Sequence, residues 1–94
     1  MKWARRVDGP QAEIVSALRR IGVSVFDASR AGSGFPDLVC GYRGRTWLLE
    51  VKADGGSLTP AQEEFHRSFR GEAYIIRSVS DAINLTRTIT GSTT

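Results

Sequence analysis

Between Asp37 and Lys52 the chain carries one tight-turn signal, Arg43-Gly44, and this constrains the fold more than any other feature. On either side run Asp37-Leu38-Val39-Cys40-Gly41-Tyr42 and Arg45-Thr46-Trp47-Leu48-Leu49-Glu50-Val51-Lys52, both rich in β-branched, aromatic and large apolar residues. A hairpin pairs residues equidistant from its turn, so Asp37, six before Arg43, falls level with Glu50, six beyond Gly44. Strand side chains alternate faces, so Thr46, Leu48, Glu50 and Lys52 share one face while Trp47, Leu49 and Val51 take the other. Cys40 alternates away from Asp37 and belongs to the core side. The pattern sets two carboxylates side by side at the end of an apolar strand, with a lysine one face-step beyond.

The rest of the chain supplies layers for this hairpin. Ile14, Ala17, Leu18 and Ile21 follow helical spacing from Pro10 to Ile21, with Asp8 or Gly9 near the cap and Gly22 as the stop. Val23–Ala28 reads as a strand, and Ser29–Pro36, with two glycines and a proline, as a loop. Thr59-Pro60-Ala61-Gln62 is a strong helix start, with N-cap, first-turn proline and capping-box glutamine; that helix shows Ala61, Phe65 and Phe69 on one face and stops near Gly71. Ala73–Ile76 is a short strand, and a last helix spans about Ser80 to Ile89 before a polar tail, Gly91–Thr94, expected to be disordered. The order αβββαβα gives an α/β (α+β) domain, a mixed four-stranded sheet flanked by helices. At 94 residues the chain reads as a single domain, 1–94, with its core at about 10–90.

Composition narrows the function classes. The net charge is +3; of thirteen basic residues only Lys2 and Lys52 are lysine, the rest arginine, whose planar fork matches phosphate oxygens. That balance permits nucleic-acid binding and equally a solubilising basic surface. No apolar run is long enough to span a membrane. The basic N-terminus lacks the apolar stretch of a signal peptide, and Cys40 is alone, so a reducing cytoplasm is the expected compartment. One Cys and one His, His66, cannot supply a zinc site.

Clustered carboxylates repel unless a cation lies between them, and oxygen ligands of this kind suit Mg²⁺ or Mn²⁺. Such an ion binds a scissile phosphate and activates water, with Lys52 placed to orient or deprotonate that water or to stabilise charge on phosphorus. The plain alternative is a solvated Glu–Lys pair of little energetic weight. Asp37 in hairpin register with Glu50 favours the catalytic reading.

Gly34-Phe35-Pro36-Asp37 followed by Glu50-Val51-Lys52 resembles the defining motif of the PD-(D/E)XK nuclease superfamily, and Leu58-Thr59-Pro60-Ala61-Gln62 resembles its VRR-NUC (virus-type replication-repair nuclease) branch, over roughly Pro10 to Arg77. The resemblance implies a restriction-endonuclease-like core. It also implies a divalent metal held by Asp37, Glu50 and the backbone carbonyl of Val51, with further contributions from a Glu of the first helix and a Gln of the second. Glu13 and Gln62 fit those positions. Glu13 flanks the apolar stripe and is equally an acid favoured near a helix N-terminus; Gln62 is equally a capping residue, and both of its roles require a side chain facing the sheet.

Arg30, Ser33, Arg43 and Arg45 are candidate DNA contacts, Arg19 and Arg20 weaker ones that also suit a helix C-terminus. Ser29 is read as a turn former, and His66 as a solvated residue on the polar side of its helix. Phe35 stands where the family pattern suggests a smaller aliphatic residue. The implied function is a Mg²⁺- or Mn²⁺-dependent, structure-specific DNA endonuclease, resembling Holliday-junction resolvases and acting as a homodimer on branched DNA, with a compact phage or prophage nuclease as the natural source. The alternatives are a catalytically inactive DNA-binding module of the same fold, and a different enzyme or an interaction subunit in which the acids are surface residues and assembly uses Trp3, Trp47 or Phe69.

Overall fold

The computed structural model describes residues Pro10–Gly91. The basic lead with its expected cap at Asp8 or Gly9, Trp3, and the tail residues 92–94 lie outside the described residues. The elements follow the expected order: α1 (Pro10–Arg20), β1 (Ser24–Asp27), β2 (Leu38–Tyr42), β3 (Arg45–Val51), α2 (Pro60–Ser68), β4 (Ala73–Ile76) and α3 (Val79–Thr90). The strands form one mixed sheet in the order β1-β2-β3-β4, with β3 and β4 parallel and the other pairs antiparallel.

The β2–β3 hairpin turns at Arg43 and Gly44, whose φ values of 52° and 77° are both positive, as a two-residue type I′ turn demands. Its register, Leu38↔Leu49 and Cys40↔Trp47, is the one expected from the sequence, and one further step sets Asp37 opposite Glu50. A one-residue slip would turn every core side chain of β3 to the other face, so the burial of Trp47 and Leu49 fixes this register.

The core lies on one face of the sheet. Ile14 and Leu18 of α1 and Ala82 and Ile89 of α3 pack there with Leu38, Cys40, Trp47, Leu49 and Ile76. Each large side chain buried in this layer contributes about 1.5–3 kcal/mol of apolar transfer. Burial pushes the Cys40 thiol up to about 12, in keeping with an inert core residue. Trp47 is likewise a core residue, 1% exposed, which removes it as an assembly surface. Among the described residues no helix is long and apolar enough to cross a membrane.

The ends of the helices follow their sequence signals, with two departures. The Val23 N–H donates to the Leu18 carbonyl and the Gly22 N–H to that of Arg19, a Schellman motif with Gly22 at φ 97°. Ile21, expected on the buried stripe, is 41% exposed because that motif turns it off the helix face. Gly91, expected in the disordered tail, instead caps α3 in the left-handed conformation at φ 72°.

Candidate active site

The opposite face of the sheet carries the site. Asp37 immediately precedes β2, where its backbone carbonyl accepts from the Ala28 N–H at 2.7 Å and extends the β1–β2 ladder. Its carboxylate Oδ2 accepts from the Val51 N–H at 2.8 Å, which fixes the acid beside the end of β3. Glu50 is only 1% exposed. Its Oε2 accepts from Gln62 Nε2 at 3.1 Å and lies 3.6 Å from Lys52 Nζ; its Oε1 is buried without a hydrogen-bond partner. Burial first, then the neighbouring Asp37 carboxylate, push the Glu50 carboxyl up to about 7, against the lowering influence of Lys52.

Gln62 caps α2 and also reaches the carboxylate pair from the sheet-facing side of that helix. Its carbonyl oxygen accepts from the Thr59 N–H at 2.9 Å while its own backbone N–H donates to Thr59 Oγ1, a complete capping box. The cap orients the amide so that Nε2 is left for Glu50. The sheet-facing side of α2 is therefore not the expected Ala61–Phe65–Phe69 stripe. The half-buried positions are Gln62, Phe65 and His66, and Ala61 and Phe69 are exposed. His66, expected to be solvated, is half-buried with an unpartnered Nε2, and burial lowers its pKa. Apolar periodicity missed this face because the helix rests on a polar site.

The loop before Asp37 is shaped by α2. Gly34 has φ 79°, and a Cβ there would lie 2.3 Å from the Ala61 carbonyl oxygen, so the loop and the first turn of α2 touch backbone to backbone. Phe35, unusual for its position, meets Phe65 edge-on at 5.4 Å between centroids, and Phe65 in turn stacks on Phe69 at 4.9 Å. The aromatic side chain thus supplies packing for α2, which has no fully buried residue of its own.

The other candidates divide. Glu13 is exposed on the flank of α1, in a depression shared with Ser16, Arg20 and Val79. Among the described residues no group of three or more His, Cys, Asp or Glu is clustered as metal ligands are, and Glu13 does not join the buried layer. The physical reason is that Ile14 and Leu18 take the buried centre of the stripe and leave position 13 turned outward. Arg45, nominated for DNA, is committed elsewhere. Its guanidinium makes a bidentate pair with Glu72, donating at 2.6 Å and 3.2 Å to one carboxylate oxygen and at 2.7 Å to the other, and reaches the Ile89 carbonyl. Arg19 donates to the Val25 carbonyl, and Ser29 is tied to Asp27 as a turn former. Arg30, Ser33 and Arg43 are exposed. One contact beside the site escaped the sequence reading: Arg77 donates to the Ala53 carbonyl at 2.8 Å, one residue beyond Lys52, and no sequence signal links positions so far apart.

Two carboxylates, one with an unpartnered buried oxygen and a raised pKa, are electrostatically incomplete. A divalent cation between them would answer both costs, and an all-oxygen donor set suits Mg²⁺ or Mn²⁺. The residues present fit such an ion: Asp37, Glu50 and the Val51 carbonyl, with water completing the shell as Mg²⁺ usually retains it.

No family model matches the sequence, and no curated protein matches it. Among solved structures, one described as "VRR_NUC domain" is similar, with a TM-score of 0.68 and 26% sequence identity, covering 82% of this chain and 89% of that one. The chain thus has the architecture of a VRR-NUC domain, a nuclease domain of the PD-(D/E)XK type.

Proposed function

We propose that the chain is a Mg²⁺- or Mn²⁺-dependent endonuclease that hydrolyses phosphodiester bonds in branched DNA. The observation that carries this reading is the pairing of half-buried Asp37 with fully buried Glu50, with the free Glu50 Oε1 and with Lys52 Nζ 3.6 Å from the other oxygen. Asp37, Glu50 and the Val51 carbonyl would hold the ion, which when bound would neutralise charge on the scissile phosphate and lower the pKa of a water so that its hydroxide becomes accessible as the nucleophile. Gln62 holds Glu50 Oε2 and leaves Oε1 without a protein partner, the oxygen that would be available to a cation. Lys52, half-buried beside Glu50, orients the water and stabilises charge developing on the phosphoryl oxygens. Arg30, Ser33 and Arg43 engage the DNA backbone, whereas Arg45 serves the fold through Glu72. With a radius of gyration of 13.1 Å, one copy covers little of a four-way junction, and paired cuts in symmetry-related strands call for a two-fold dimer.

The test is cleavage of a four-way junction, a matched duplex and single strands in Mg²⁺, Mn²⁺ or EDTA, with Lys52→Ala and Asp37→Asn alongside the wild type. Paired metal-dependent cuts in the junction, abolished by both substitutions, are expected. Salt-sensitive binding without cleavage by any metal would instead make the chain an inactive DNA-binding module.

A further inference from the structure

Phe26 is 69% exposed, the most exposed large hydrophobic side chain among the described residues, and it stands on the active-site face of the sheet. It pairs across β1–β2 with Val39, two residues along the strand from Asp37, and Val39 pairs with Leu48, two residues before Glu50. At about 3.4 Å per residue the ring therefore sits one row, about 7 Å, from the carboxylate row. Beside it lies a shallow depression of about 280 Å³ walled by Phe26, Ser24, Val39 and Thr46. Gly41 leaves its floor open, since a Cβ there would meet only the Arg45 carbonyl at 3.7 Å. No charged side chain lines the depression, and beyond Gly41 and Thr46 the β2–β3 turn carries the exposed Arg43.

An apolar ring beside an uncharged recess, between a phosphate-hydrolysing row and an arginine, matches a nucleotide whose base has left the stack. Within a duplex the base faces are occupied by their neighbours and a surface phenyl cannot reach them. An unpaired base offers a free π-face, and stacking on an aromatic side chain accepts any base. We propose that Phe26 is a base-stacking platform that holds an unpaired nucleotide next to the scissile phosphate and so confers preference for DNA with unpaired nucleotides at the cut. This deepens the nuclease reading and rests on it for the identity of the polymer. The Val39–Gly41–Thr46 recess receives the edge of the same base, and Arg43 meets the phosphate that follows it.

The experiment is equilibrium binding in EDTA of wild type, Phe26→Ala and Phe26→Trp to oligonucleotides carrying 2-aminopurine, either unpaired at a branch point or inside a matched duplex. Wild type is expected to quench the unpaired label on binding. Phe26→Ala is expected to lose the quenching and to bind the unpaired substrate about tenfold more weakly, with duplex affinity unchanged, and Phe26→Trp to restore both. Equal binding and quenching by Phe26→Ala would overturn the proposal. So would sedimentation showing that Phe26→Ala converts a wild-type dimer to monomer, which would make the ring a contact between copies. Melting temperatures confirm that each variant is folded, since an exposed ring adds little to the core. Metal-dependent cleavage by the wild type with no effect of Phe26→Ala on binding refutes the platform alone. Quenching without any cleavage in Mg²⁺ or Mn²⁺ refutes the nuclease reading alone.

Discussion

Gln62 donates its side-chain amide to Glu50 at 3.1 Å while the other end of that amide closes the cap of α2 on the Thr59 N–H. Helix start and carboxylate pair are therefore one hydrogen-bonded unit. Gln62→Ala removes one capping bond and the neutral donor to a buried carboxylate, so stability should fall by about 1 kcal/mol. Gln62→Glu keeps an acceptor for Thr59 but sets a third carboxylate against Glu50. Thermal melts with metal titration check both: Gln62→Ala should bind Mn²⁺ more weakly than wild type and Gln62→Glu more tightly, because an added carboxylate attracts a divalent ion, and unchanged affinity in Gln62→Ala would sever helix cap from metal site.

The raised Glu50 acid fixes the pH dependence of the metal-free protein. The folded state holds this proton more tightly than the unfolded chain, whose carboxyl titrates near 4.5. The stabilisation from Glu50 is therefore fully present below about pH 4.5 and is lost as pH rises through about 7. Saturating Mg²⁺ should oppose this trend, because the ion binds the ionised pair and stabilises the native state by mass action. Melting temperature against pH, with and without Mg²⁺, checks the sign: curves that stay parallel from pH 5 to 8 would remove the metal from this pair.

Gly34 should not accept a side chain. Its φ of 79° strains any L-residue, and a Cβ would lie 2.3 Å from the Ala61 carbonyl, in backbone that cannot rotate away. Gly34→Ala should cost at least about 1 kcal/mol and displace the first turn of α2, which carries Gln62. Reduced cleavage with the melting transition lowered but still cooperative is the expected result; full activity would show that the loop and α2 move independently.

Arg43 and Arg45, two residues apart at the hairpin, should behave oppositely. Arg43→Asn removes a charge while giving the turn a residue that tolerates positive φ. It should leave stability unchanged or improved and reduce the slope of log binding constant against log salt by about 1. Arg45→Ala leaves Glu72 without its partner and should lower the melting temperature with the salt slope unchanged. Salt titrations of duplex binding and thermal melts of both variants distinguish the two.

The sequence by itself determined the framework. Alternation along Arg45–Val51, the Arg43-Gly44 turn and the Thr59–Gln62 cap are local signals, each set by neighbouring residues, and together they fixed the element order, the hairpin register and the position of Asp37 opposite Glu50. Only the tertiary structure decided which nominated side chains remain available for chemistry. Arg45 is taken by Glu72, 27 residues away, and Glu13 is turned outward by the burial of Ile14. His66 is half-buried because α2 faces a polar site, and Phe26 is exposed on the active-site face beyond the carboxylate row. These outcomes depend on contacts between elements distant in sequence, where burial and competing hydrogen-bond partners act, and periodicity along one segment carries no record of them.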